Sequence, residues 1–202
     1  MKQKDTEMKG CRMLNRQEKY ALLNACSNAK EKAFLAVGFA AGYRVSEIIS
    51  LKISDVIDGN SKPLKYISVA RVSMKGKKEG RRIPLNSAAA NALSTLAKEL
   101  VQQGCGREQP LFTGRKCPHK AVTRITAWRW LKDLLARADI SGGYGELGTH
   151  CLRKTFAGDM LQILGDSIPK LQVAMGHCNP ATTMRYISVD HSEIELAFTK
   201  LI

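Results

Sequence analysis

Apolar residues recur at helical spacing along most of the chain. The first such segment follows Asn15, which forms a capping-box pattern with Glu18, and it predicts a helix that runs to about Ala29. The next segment is apolar on all sides and predicts a buried helix over residues 30–41. Gly42 follows it directly, as is typical of a residue that ends a helix.

A short third helix is predicted after Gly42, with Ser46 as its N-cap and Ile48 and Leu51 facing the core. Arg44 lies just before this helix and Glu47 lies one turn along it. The two residues form either a surface ion pair, worth less than about 1 kcal/mol, or part of a functional site beside a cleft. The sequence pattern leaves both interpretations open.

Two short segments, 66–69 and 81–85, predict short strands on either side of a turn-rich stretch. Residues 74–80 between them are rich in lysine and glycine, which favours a hairpin turn. A solvated turn accounts for that composition without any function.

Two long helices follow the strands. Asn86 caps the first, which runs to about Gln103. The loop 104–120 then carries Leu111 and Phe112 as an apolar plug. Thr123 opens the second helix, whose predicted inner face consists of Ile125, Trp128, Leu131 and Leu135. Its predicted outer face is basic and is either solvated or directed at phosphates: Arg124, Arg129, Lys132 and Arg137.

The last part of the chain reads as further helices. Thr149 is predicted to cap a helix that carries His150 and Arg153, which at a separation of three lie on one face. Helical segments are also predicted over 168–174 and 180–186, with a break at Gly176, and over the amphipathic residues 192–201. Together the elements predict a mainly α protein with a small antiparallel β-sheet, an α+β fold.

Composition adds a strong positive charge to this picture. The 202 residues include 32 Lys+Arg and 18 Asp+Glu, a net charge of +14, so we expect a polyanionic partner, with nucleic acid first. The absence of a long apolar run or signal peptide predicts a cytoplasmic protein without a membrane partner. The six cysteines show no CxxC spacing, so reduced thiols are expected and no metal site.

A set of polar side chains from five separate segments suits phosphoryl transfer to a protein nucleophile. Tyr186 follows His177 by nine positions (186 − 177 = 9), and its phenol can form a covalent link. Arginine offers a planar fork that holds phosphate oxygens and stabilises a charged transition state without a metal. The full set is Arg44, Lys75, His150, Arg153, His177 and Tyr186.

These residues stand in four boxes that resemble the tyrosine recombinase (phage integrase) family from about Leu14 onward. The boxes are Ala41–Ile48, the lysine hairpin Lys75–Leu85, the H-x-x-R box Thr149–Ala157, and Gly176–His177 through Tyr186. Each box alone is a weak signal, whereas four in this order with the nine-residue spacing form a specific one. The resemblance implies the fold of a tyrosine recombinase catalytic domain.

The resemblance also implies a role for each residue. Tyr186 would attack the scissile phosphate to give a 3′-phosphotyrosyl bond, while the phosphate oxygens would be held by Arg44, Arg153 and His177. His150 would assist proton transfer from the nucleophile. Lys75 would protonate the leaving 5′-oxygen, with Lys77 as the alternative, and Glu47 would orient Arg44 or a histidine. Further DNA contacts are expected from Lys77, Lys78, Arg124, Arg129, Lys132 and Lys154, the last standing where the family often has histidine.

The resemblance further implies that the partner is double-stranded DNA with a recombination site. The protein would be a monomer without DNA and a homotetramer on DNA, helped by accessory DNA-bending proteins. No cofactor and a bacterial or phage origin are also implied. We expect a flexible tail over residues 1–13 and one catalytic domain over residues 14–202. The nucleophile segment, residues 186–202, is expected to pack either on its own subunit or on a neighbouring one. The family's N-terminal DNA-binding domain is expected to be absent, in a naturally short or a truncated protein. An inactive or regulatory DNA-binding protein and a type IB topoisomerase-like relaxing enzyme are the alternative functions.

Overall fold

The computed structural model describes residues 11–69, 81–114, 119–142, 147–176 and 180–184. They fall into two compact units, Met1–Phe156 and Ala157–Ile202. The helices are α1 (Arg16–Asn24), α2 (Ala29–Ala41), α3 (Val45–Ile49), α4 (Ser87–Gln102), α5 (Arg124–Arg137), α6 (Thr149–Ile163), α7 (Ile168–Met175) and α8 (Pro180–Met184), and the strands are β1 (Tyr66–Val69) and β2 (Arg81–Pro84).

The predicted mainly α fold with a small antiparallel sheet is confirmed. β1 and β2 pair antiparallel, with Ile67 opposite Ile83, and these two side chains reach the core. The Tyr43 hydroxyl donates a hydrogen bond to the Ile67 carbonyl at 3.3 Å. The sheet is thereby tied to the segment that precedes α3.

Helix starts follow the predicted caps at several positions. The Asn15 side chain accepts a hydrogen bond from the Glu18 amide at 2.9 Å, and the Glu18 carboxylate accepts one from the Asn15 amide at 2.8 Å. Asn86 and Thr123 likewise cap α4 and α5. The predicted end of the first helix near Ala29 is wrong. α1 ends at Asn24 because Asn28 already caps α2.

α2 and α4 pack against each other around the core of the first unit. Phe34 of α2 meets Phe112 edge-on, with ring centroids 6.2 Å apart. Leu111 and Phe112 are fully buried, which confirms the predicted apolar plug in the loop between α4 and α5. The Leu111 amide donates to the Leu51 carbonyl at 2.8 Å, so the plug is also held by the backbone.

The predicted inner face of α5 is half wrong. Leu131 and Leu135 are buried, but Ile125 is 64% exposed and Trp128 is 42% exposed. The buried stripe is formed by Ala127, Leu131, Leu134 and Leu135. Both sets satisfy helical spacing, and packing against the rest of the unit selects the second set.

The turn between α2 and α3 depends on Gly42, which adopts a left-handed conformation with φ of 56°. A Cβ atom at this position would clash with the ring of Phe156, on α6. Only glycine fits both the backbone conformation and the space. The turn places Arg44, and not the predicted Ser46, at the N-cap of α3.

The second unit holds the end of α6 together with α7 and α8, which contact each other. Gly176 ends α7 with a left-handed φ of 62°, which confirms the predicted break. The predicted helix over 192–201 lies outside the described residues. Among the helices that the structure describes, none is long and apolar enough to cross a membrane.

Candidate active site

Glu47 is the centre of a buried charge cluster at the start of α3. Its side chain is 1% exposed, and its carboxylate accepts hydrogen bonds from the Arg44 backbone amide at 2.6 Å and from Arg44 Nη1 at 3.2 Å. The Arg44 side chain is 36% exposed. One carboxylate therefore both caps the helix and holds a cation that reaches solvent. This burial rules out the interpretation as an ordinary surface ion pair.

Arg153 reaches the same carboxylate from α6. Its Nη1 lies 4.0 Å from Glu47 Oε2 and also donates a hydrogen bond to the Gly42 carbonyl. Arg153 is 1% exposed, and it is among the largest fully buried side chains of the described residues. A buried charge is tolerated when it is paired and hydrogen-bonded, as it is here. Glu47 thus lies between the two predicted phosphate-binding arginines.

His150 lies beside this cluster on the first turn of α6. It is exposed to solvent, whereas Arg153 on the same helix is buried. Partial desolvation, followed by the positive charges of Arg153, Arg44 and Lys154, lowers the pKa of His150. A lowered pKa favours the neutral imidazole near pH 7, the form that accepts a proton. Thr149, predicted to cap this helix, is instead its first residue.

A surface cavity of about 550 Å³ opens next to His150. Residues from three helices line it, and all belong to the first unit: Val45 of α3, Arg124, Ile125 and Trp128 of α5, and Thr149 and His150 of α6. The two exposed apolar side chains of α5 therefore face the same space as the histidine. The sequence pattern assigned both to the core and so missed them as site residues. Their place on the helix next to Arg124 was the only available signal.

The basic residues predicted on α5 are exposed. Arg124 lines the cavity, and Lys132 Nζ lies 5.0 Å from the centre of the Trp128 ring. Arg129 is exposed as well. Lys154 of α6 is half-buried, and its charge lowers the pKa of the neighbouring His150. Arg124 is thus the basic side chain that lines the cavity, and Lys132 contacts Trp128, which lines it too. Arg137, also predicted on the outer face, pairs with Glu31 at 2.7 Å.

The remaining predicted site residues lie outside the described residues. They are Lys75, Lys77 and Lys78 of the hairpin, His177, and the nucleophile Tyr186. The structure therefore brings together Arg44, Glu47, His150 and Arg153. Within the described ranges, no group of three or more His, Cys, Asp or Glu residues is arranged to hold a metal ion.

Comparison with known proteins identifies the family. A model of the phage integrase family matches residues 12–193. The chain belongs to the phage integrase family. The match spans the four boxes and confirms the resemblance seen in the sequence.

The chain is also similar in sequence to individual members of this family. The chain is 30% identical over 169 residues to tyrosine recombinase XerC of Shewanella amazonensis, covering 82% of this chain and 51% of that protein. It is 28% identical over 180 residues to the probable integrase/recombinase YoeC of Bacillus subtilis, covering 89% of this chain and 88% of that protein. The chain spans about half the length of the XerC relatives it matches.

A solved structure supports the fold. The crystal structure of XerA recombinase superposes with a TM-score of 0.75 at 27% identity, covering 95% of this chain and 64% of that one. The prediction of a tyrosine recombinase catalytic-domain fold is confirmed. In this phage integrase fold, the predicted site residues that the structure describes lie on α5 and at the starts of α3 and α6.

Proposed function

We propose that this chain is a site-specific DNA recombinase that cuts and rejoins DNA through a 3′-phosphotyrosyl intermediate. The observation that carries the proposal is the buried Glu47 carboxylate between Arg44 and Arg153, with a histidine of lowered pKa beside them. Membership of the phage integrase family and the similarity to tyrosine recombinase XerC support it.

In the proposed cleavage step, the Tyr186 oxygen attacks the scissile phosphorus. The bond from phosphorus to the 5′-oxygen breaks, and the phosphotyrosyl bond forms at the 3′ side. His150, neutral near pH 7, takes the phenol proton, and Lys75 or Lys77 gives a proton to the leaving 5′-oxygen. The phosphotyrosyl bond conserves the energy of the broken linkage, so rejoining is the same step reversed and needs no cofactor.

Two arginines and His177 are the proposed phosphate ligands. Arg44 is partly exposed, so its guanidinium can contact a phosphate while its backbone amide stays hydrogen-bonded to Glu47. Arg153 is buried, so we propose that DNA binding shifts its guanidinium enough to expose a donor. Catalytic hydrogen bonds often tighten only when substrate is bound.

DNA is the proposed partner, and the cavity beside His150 is part of the proposed contact surface. Arg124, Arg129, Lys132 and Lys154, with Lys77 and Lys78 of the hairpin, would contact phosphates. Ile125 and Trp128 would add apolar contacts to a base or sugar, as exposed aromatic and aliphatic side chains do in DNA grooves. A homotetramer on two sites, accessory DNA-bending proteins and a catalytic domain over 14–202 belong to the same proposal.

A nicked suicide substrate that carries the recombination site tests the chemistry. We expect a covalent protein–DNA adduct that survives denaturant, is unaffected by EDTA, and is lost in Tyr186→Phe. An adduct that persists in Tyr186→Phe refutes the nucleophile assignment. EDTA sensitivity would indicate a metal-dependent nuclease instead.

DNA-binding and plasmid-relaxation assays on the same protein distinguish the proposed function from its two alternatives. Salt-sensitive binding without an adduct on the cognate site would indicate a DNA-binding protein without chemistry. Relaxation of supercoiled plasmid without exchange between two sites would indicate a topoisomerase-like enzyme. A search of the DNA next to the gene for inverted repeats would supply the first candidates for the cognate site.

A further inference from the structure

Two cysteines far apart in the sequence meet at the start of α6. The Cys151 thiol donates to the Gly148 carbonyl, and the Gly148 amide donates to Cys151 Sγ at 3.2 Å. Cys11 Sγ lies against the same glycine, 3.4 Å from where a Cβ of residue 148 would be. Both sulfur atoms therefore pack around Gly148.

The segment that carries Cys11 is held along α6 by its backbone. The Leu14 amide donates to Thr155 Oγ1 at 2.9 Å, and that hydroxyl donates to the Cys151 carbonyl at 2.8 Å. Arg12 pairs with Glu18 at 2.6 Å and donates to the Ser141 carbonyl at 3.3 Å. Cys11 is thus positioned by neighbours on both sides of the pair.

The two thiols differ in reactivity. Cys11 is half-buried, and the adjacent Cys151 side chain, the amides of Cys151 and His150 and the charge of Lys154 lower its pKa to about 6 against the effect of burial. Cys151 is fully buried, and the adjacent Cys11 side chain, followed by burial, raises its pKa. A thiolate at a helix N-terminus beside a second thiol is the arrangement of an attacking and a resolving cysteine.

We propose that Cys11 and Cys151 form a reversible disulfide site, oxidised by low-molecular-mass disulfides such as oxidised glutathione. The Cys11 thiolate attacks one sulfur of the oxidant and forms a mixed disulfide, and one glutathione thiolate leaves. Cys151 then attacks Cys11 Sγ, and its proton goes to the second departing glutathione. The two cysteines lose two electrons and the oxidant gains them.

The disulfide would link residue 11 covalently to the helix that carries His150 and Arg153. The site rests on the described contacts of the two thiols and not on the proposed function, since its chemistry needs no DNA. It is thus a modification site next to the candidate active site.

Peptide mapping of the full chain tests the site. Trypsin places each of the six cysteines on a separate peptide, with Cys11 in residues 10–12 and Cys151 in 138–153. After treatment with oxidised glutathione and blocking of the remaining thiols, we expect these two peptides to be linked, with the loss of two hydrogen atoms, and to separate in dithiothreitol. Two free, blocked thiols at these positions, or a linkage of either to another cysteine, would overturn the proposal.

Cysteine variants distinguish the attacking thiol, Cys11, from the resolving thiol, Cys151. In Cys151→Ala, checked for folding by circular dichroism, we expect glutathione to stay attached to Cys11 because the resolving thiol is missing. Cys26→Ser is the control and should leave the link intact. Alkylation of the wild-type chain near pH 7 should modify Cys11 well before Cys26, because burial raises the pKa of Cys26 to about 11. Equal alkylation rates for the two cysteines would contradict the assignment of Cys11 as the attacking thiol.

Discussion

At the scale of single residues, the candidate site depends on one carboxylate shared by two arginines that lie 109 positions apart (153 − 44 = 109). The sequence indicated which residues belong together because their types and order resemble a family pattern. It did not predict that Glu47 and Arg153 would both be 1% exposed. The turn at Gly42 lies against Phe156, and its carbonyl accepts from Arg153, so the site depends on contacts between segments distant in sequence.

Replacing Glu47 should destabilise the chain. We expect Glu47→Ala to lower the free energy of unfolding by about 3–5 kcal/mol, because the Arg44 amide and guanidinium lose their acceptor and the buried Arg153 loses its counter-ion. Glu47→Gln should cost less, about 1–3 kcal/mol, because the amide oxygen still accepts from the Arg44 backbone. Urea denaturation followed by circular dichroism measures both values.

Glu108→Gln is the matched control for these variants. Glu108 pairs with Lys52 at 2.8 Å, but its side chain is 76% exposed, so its loss should leave the denaturation midpoint unchanged within error. If Glu47→Gln also left the midpoint unchanged, the buried cluster would not contribute to folding. Adduct formation by Glu47→Gln should still fall if Glu47 positions Arg44.

At the scale of elements, helix starts were predictable, whereas the face that a helix buries was not always so. Asn15, Asn86 and Thr123 cap their helices through contacts within three residues, which a sequence pattern contains. The orientation of α5 depends on its partners in the fold, and two overlapping apolar stripes left the choice open. The stripe with Leu134 is buried, and Ile125 is left beside the candidate site.

The two stripes of α5 should differ in their contribution to stability. Leu131→Ala should lower the free energy of unfolding by about 2–5 kcal/mol, because Leu131 is 1% exposed and its loss leaves a cavity. Ile125→Ala should change it by no more than about 0.5 kcal/mol, because Ile125 is 64% exposed. Thermal and urea denaturation of the two variants under one buffer condition gives the comparison.

The same pair of variants separates folding from DNA contact. Ile125→Ala should form the covalent adduct more slowly than the wild type, although it is equally stable, if the cavity contacts DNA. Val101→Ala, which truncates a 37% exposed residue on α4, should form the adduct at the wild-type rate. A large loss of stability in Ile125→Ala would restore the original assignment of that residue to the core.

At the scale of the whole molecule, motif order was enough to predict the family, and composition predicts a polyanionic partner. The net charge of +14 indicates a polyanion but does not say where it binds. The proposed location lies within the first unit, where Arg124 lines the same cavity as His150. No sequence pattern contained that proximity, since the two residues belong to different helices separated by a loop.

The location can be tested without knowing the recombination site, because the electrostatic part of DNA binding does not depend on sequence. The logarithm of the affinity for an arbitrary duplex should fall linearly with the logarithm of salt concentration. Arg124→Gln should make that slope shallower by about 1, the contribution of one phosphate contact.

Lys98→Gln removes the same charge from an exposed position on α4 and should leave the slope unchanged, because Lys98 is not among the residues that line the cavity. Equal slopes for the two variants would show that the net charge, and not the surface around His150, attracts the DNA.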